Sequence, residues 1–158
     1  MTEPMQITMR ASPPRRYFGL AMLAGLGALL LYLAMDGAGH TLAIKAFLVV
    51  LGALALYVAQ RMYRATDREI ILDDNGLSTD EGEVIAALDQ IERVDRGAFA
   101  FKPSNGFIVI LTQGQSPRWE PGMWWRVGRR VGIGGVTGAA EAKAMAEVIS
   151  AKLVSQKR

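Results

Sequence analysis

Apolar positions are concentrated in the first third of this chain. Residues 17–35 read YFGLAMLAGLGALLLYLAM and carry no charge, and in residues 42–60, LAIKAFLVVLGALALYVAQ, Lys45 is the only charged side chain. At about 1.5 Å per residue each run makes a helix of roughly 28 Å, close to the hydrocarbon thickness of about 30 Å. The pattern predicts two membrane-spanning helices. Lys45 stands one turn from the start of its run, where its ammonium can snorkel to the near interface. The short link at residues 36–41, DGAGHT, makes the two helices antiparallel neighbours. Tyr17, Tyr32 and Tyr57 fall near the ends, as interfacial aromatics do. Ala21 and Gly25, Ala24 and Ala28, and Ala55 and Ala59 are spaced for close backbone approach in lipid.

After Arg61 the period shortens to that of strands. Residues 68–73 (REIILD) predict a strand, Asp74-Asn75-Gly76 a tight turn and residues 76–79 the returning strand. A second turn at Asp80-Glu81-Gly82 leads to a strand at 83–87, and residues 87–91 suit one helical turn. Residues 92–101 alternate Val94, Ala98 and Ala100 with charged positions, with a bulge expected at Gly97. Pro103-Ser104-Asn105-Gly106 is a turn, and FIVIL at 107–111 has the composition of a buried strand. Residues 112–127 read as a long loop, and 129–133 as the last strand. From 139 to 154, Ala142, Met145, Ala146, Ile149 and Leu153 recur on one helical face, with Thr137 or Gly138 opening the helix and residues 155–158 fraying.

The expected organisation is a cytoplasmic N-terminal tail (1–16), a two-helix transmembrane hairpin (17–60), a linker (61–67) and a cytoplasmic α+β domain (68–158). Orientation comes from the flanks. Arg10, Arg15 and Arg16 precede the first helix, Arg61, Arg64 and Arg68 follow the second, and the loop between them holds Asp36 without lysine or arginine. The positive-inside rule then puts both ends in the cytoplasm. Arg15-Arg16-Tyr17-Phe18-Gly19-Leu20 has the look of a twin-arginine export signal, but no convincing A-x-A cleavage site follows and a second full span begins at once.

Composition narrows the chemistry. The 158 residues contain no cysteine, which removes disulfides, thiol nucleophiles and thiolate metal sites. The single histidine, His40, falls in the loop expected to face away from the cytoplasm, which leaves a serine–histidine pair without its base. A net charge of +3 without a clustered patch does not argue for nucleic acid and suits a domain near an anionic leaflet. Asp73, Asp74, Asp80, Glu81 and Glu83 flank turns. Asp-Asp-Asn-Gly departs from a calcium loop in the position of its glycine and in lacking the final glutamate. Residues 132–138, GIGGVTG, precede a helix, where backbone amides can hold phosphate, but Thr137 and the missing P-loop lysine break the known patterns.

The segment that rises above this background is 118–130, RWEPGMWWRVGRR. It holds all three tryptophans, together with Arg118, Arg126, Arg129 and Arg130 against the single acid Glu120. Tryptophan favours headgroup-level interfaces and arginine pairs with phosphates. The candidate lipid- or partner-binding residues are therefore Arg118, Trp119, Trp124, Trp125, Arg126, Arg129 and Arg130. The alternative is that one or two tryptophans fill the domain core while the arginines are solvated.

Asn75-Gly76-Leu77, the turn and strand at 87–94 (ALDQIERV), the strand at 106–111 and the Gly132–Gly138 approach to the helix together resemble bacterial PH-like domain membrane proteins, in which two transmembrane helices precede the domain. The resemblance covers roughly residues 68–154 plus the anchor. It implies a membrane α-helical hairpin joined to a PH-like, partly open β-barrel of about seven strands capped by a C-terminal α-helix, with no catalytic set. The expectation is a non-enzymatic protein of the bacterial inner membrane, without cofactor or metal. Its domain would bind lipid headgroups, a membrane-protein partner or a second copy, and not nucleic acid. The second reading is an accessory subunit of a larger membrane complex, bound through the hairpin.

Overall fold

The computed structural model describes residues 6–36, 39–97 and 102–156. The chain opens with a short strand, β1 (Ile7–Met9), followed at once by two long helices, α1 (Pro13–Met35) and α2 (Leu42–Ala65). Pro13 and Pro14 suit the first turn of α1, where no intrahelical amide donor is needed. Thr41 caps α2 by accepting from the Ile44 amide at 3.4 Å. Both helices are long and apolar enough to cross a membrane. Only 11% of each apolar window is buried, whereas a helix in the core of a water-soluble protein would be mostly covered.

The two helices touch along a narrow seam. A Cβ on Gly27 would lie 2.7 Å from the Leu56 side chain and 3.1 Å from the Gly52 carbonyl oxygen, so the backbones meet where neither residue has a side chain. Ala55 and Ala59 are buried in this seam, as their spacing suggests. Ala21, Ala24, Gly25 and Ala28 are not, and they lie on the exposed side of α1. The contact selects one helical stripe, and on α1 that stripe passes through Gly27 and Ala34.

After α2 the strands follow in meander order: β2 (Ile70–Leu72), β3 (Gly76–Thr79), β4 (Val84–Ala87), a single 3-10 turn (Leu88–Gln90), β5 (Ile91–Asp95), β6 (Phe107–Glu120) and β7 (Trp124–Ile133). They form two antiparallel sheets, β1-β2-β3-β4 and β5-β6-β7, with no ladder joining them among the described residues. The closing helix α3 (Ala139–Gln156) buries Ala142, Met145, Ala146, Ile149 and Leu153, the face its periodicity predicts. One core contains residues from all seven strands and α3, from Met9 in β1 through Phe107 in β6 to Leu153.

Three expectations change. Residues 6–16 do not form a tail: Met9 is fully buried and pairs with Ile70, and Ile7 pairs with Leu72. A three-residue strand is too short to show a period, and its partner lies beyond the whole helical hairpin. Residues 112–127 are not a loop either. β6 runs on to Glu120 and β7 begins at Trp124, so beyond the reach of β5 they form a two-stranded ribbon. Register shifts between Ile110 and Gln115 and between Gln115 and Arg118 take up the extra residues of β6, and Pro117 falls inside the second shift, where the ladder is already interrupted. Finally, β5 ends at Asp95, and its register shift lies between Ile91 and Arg93 instead of at Gly97. The alternation expected at Ala98 and Ala100 lies outside the described residues.

The seam between the helices gives a direct prediction. Gly27→Ile must force the helices apart, and overpacking of this kind costs about 1–3 kcal/mol. Gly25, where an added Cβ meets nothing within 4 Å, tolerates the same change. Thermal unfolding of the full chain in mild detergent, followed by circular dichroism, should fall by several degrees for Gly27→Ile and stay near the parent for Gly25→Ile.

Candidate functional site

The tryptophan–arginine segment forms the β6–β7 ribbon, and strand alternation divides its residues between two faces. Trp124 and Arg126 point inward, while Trp125 and Val127 point outward. Trp124 is 2% exposed and belongs to the core. The Arg126 guanidinium lies over its ring at 5.7 Å and donates to the carbonyl oxygens of Ile85 (2.9 Å), Ser116 (2.9 Å) and Val84 (3.3 Å). These bonds tie β4 of the first sheet to β6 of the second. Arg126 is therefore a buried cross-link whose donors are used within the domain.

The other arginines are divided in the same way. Arg118 pairs with Glu83 at 3.2 Å and with Glu120 at 3.1 Å. Arg129 donates to the Leu111 carbonyl and pairs with Glu92. Arg130 is exposed and makes no ion pair or side-chain hydrogen bond among the described residues. Trp119 and Trp125 are direct cross-strand partners on the outer face. The Trp125 ring lies against Gly132, leaving no space for a Cβ there, while Trp119 remains 47% exposed and Val127 62% exposed. The sequence-derived set thus separates into two inward residues (Trp124, Arg126), two arginines held by acids (Arg118, Arg129) and an outer group (Trp119, Trp125, Arg130) that Val127 completes.

The tip of the ribbon is seated against the helices. Gly122 has φ of +82°, and a Cβ there would stand 3.1 Å from Thr66 and 3.3 Å from Met62 at the end of α2. The Gly134 amide donates to the Met123 carbonyl at 2.8 Å, and the Val136 amide to the Gly122 carbonyl at 2.9 Å. Glu120, nearly buried, reaches Arg61 of α2 at 3.6 Å. The tip of the ribbon is therefore held against the end of α2. Glu120 was legible only as the lone acid in a basic run, because its partner Arg61 comes from a distant element.

The remaining candidates have structural work. The Gly134, Gly135 and Val136 amides already donate to carbonyls within the chain, so the glycine-rich stretch serves as the connection from β7 to α3. Asp73 accepts from the Asn75 and Gly76 amides at 2.8 and 3.1 Å, closing the turn between β2 and β3. Comparison with protein-family models, curated proteins and solved structures gives no match.

The division of faces predicts opposite mutational outcomes. Trp124→Ala should cost about 3–5 kcal/mol through lost burial and a cavity. Arg126→Leu should cost about 1–3 kcal/mol by leaving buried carbonyls without donors. Trp119→Ala should stay within about 0.5 kcal/mol of the parent. Denaturant unfolding of the three variants, read by circular dichroism, checks the order.

Proposed function

We propose that the chain is a non-enzymatic, multi-pass protein of the bacterial inner membrane, whose PH-like domain is a cytoplasmic binding or assembly module for lipid headgroups or a membrane-protein partner. The observation that carries this reading is the outer face of the ribbon. Trp119 and Val127 stay exposed on an element braced against the end of the helix pair, and Arg130 is exposed further along the same strand pair. An exposed indole and a guanidinium held at headgroup level suit that surface or a partner embedded in it. Four- and three-stranded antiparallel sheets with a closing helix support the PH-like reading. The clustering of Arg15, Arg16, Arg61 and Arg64 at the domain end of the helices supports a cytoplasmic domain. The turn acids and glycine-loop amides, occupied within the fold, support a binding role over catalysis.

One observation favours a second reading, an accessory subunit bound through the hairpin. The small residues Ala21, Ala24, Gly25 and Ala28 leave a flat strip of α1 open on the side away from α2. A third helix could approach closely there.

The experiment is to purify the full chain in native nanodiscs and identify what accompanies it by mass spectrometry. Combining Trp119→Ala, Val127→Ser and Arg130→Ala should reduce the accompanying lipid or protein several-fold while leaving thermal stability near the parent. Ala24→Leu with Gly25→Leu should leave it intact. The reverse result would favour the subunit reading, and no change in either variant would remove both.

A further inference from the structure

At the end of α2 a cavity of about 220 Å³ is lined by Tyr57, Gln60, Arg61, Arg64, Arg68 and Glu120. We infer that this cavity binds the phosphate of an anionic glycerophospholipid, an inference that rests on the membrane reading above. Tyr57, Arg61, Arg64 and Arg68 recur at four- and three-residue spacing and continue one face of the helix into the linker. The face changes from apolar to basic where the apolar run of α2 ends, which is the depth at which a headgroup phosphate lies.

The arginines are not equally committed. Arg68 is held by Glu81 at 3.0 Å and Glu83 at 3.8 Å and forms a fixed wall. Arg61 is held loosely, 3.5 Å from the Tyr57 hydroxyl and 3.6 Å from Glu120. Arg64 is exposed and makes no ion pair or side-chain hydrogen bond among the described residues. Glu120, the one acid in the lining, already meets Arg118 at 3.1 Å. Two guanidinium groups thus face the cavity with capacity for an oxyanion.

A helix C-terminus ordinarily repels anions through its open carbonyls. Here those carbonyls are closed. Met62 O accepts from the Thr66 amide and hydroxyl, Tyr63 O from Arg16, Arg64 O from the Asp67 amide and Ala65 O from the Arg68 amide. The last carbonyl oxygens of α2 are hydrogen-bonded within the fold, and the cavity lining sets three arginines against one acid, Glu120. Tyr57 and Gln60 carry the lining back toward the apolar part of α2, which fits a lipid phosphate with chains entering the bilayer better than a soluble anion.

The test uses the full chain in nanodiscs of phosphatidylcholine with phosphatidylglycerol as the minor component, with retained lipid counted by native mass spectrometry after gentle release. The expected result is preferential retention of phosphatidylglycerol, falling about fivefold with Arg64→Gln and again with Arg61→Gln, and unchanged with Arg93→Gln, which replaces an exposed arginine of β5 outside the cavity. Arg64 is exposed, so its replacement leaves the fold intact. Equal retention of the two lipids, unchanged retention in both cavity variants, or an equal fall with Arg93→Gln would overturn the site. Displacement of the retained lipid by millimolar inorganic phosphate would overturn the lipid assignment. A chain absent from the discs would fail the membrane reading itself, whereas an inserted chain with unchanged retention fails only the cavity.

Discussion

The pairing of β1 with β2 is the constraint on which the rest depends. Met9 opposes Ile70 and Ile7 opposes Leu72, so the two long helices leave and re-enter the same sheet between neighbouring strands. The helix pair occupies the place of the turn in a β-hairpin. A domain attached by one flexible linker would sample many orientations. This one is held at two points in a single ladder, and both strands are anchored in the core through Met9, Ile70 and Leu72.

Side-chain and backbone contacts brace the same junction. The Ser12 amide donates to Val136, Arg15 donates to the Thr137 carbonyl, and Ala11 bridges to Thr137. Arg16 crosses from α1 to α2, stacking over Tyr63 at 5.0 Å and reaching Asp67 at 3.4 Å. On the other side, Gly122 fits against Met62 and Thr66. The exposed ion pairs among these contribute little individually. Their effect is geometric: they fix the height and tilt of the ribbon relative to the helices. That placement sets the ribbon and the basic cavity beside the end of α2.

Much of this was legible because the strongest signals are local. The apolar runs define α1 and α2, Asn75-Gly76 marks the turn, and the spacing from Ala142 to Leu153 identifies the buried face of α3. The missed features depend on partners distant in sequence. Ile7–Met9 becomes a strand only because Ile70–Leu72 lies beside it. Residues 112–120, mostly polar with one glycine and one proline, extend because β7 pairs with them and bulges absorb the mismatch. For the same reason the candidate site was read as one basic aromatic patch. Composition could not reveal that strand alternation sends Trp124 and Arg126 inward and leaves Trp119, Trp125 and Arg130 outside.

The most direct test of the two-point attachment exploits the absence of cysteine from the chain. Thr8 and Ile71 are register partners across β1 and β2, whereas Thr8 and Ser78 are separated by the width of β2. Full-length protein carrying Thr8→Cys and Ile71→Cys should form an intramolecular disulfide in near-complete yield under mild oxidation in detergent. The pair Thr8→Cys and Ser78→Cys should remain reduced. No cross-link at the first pair, or equal yields at both, would contradict the pairing and with it the seating of the domain on its helices.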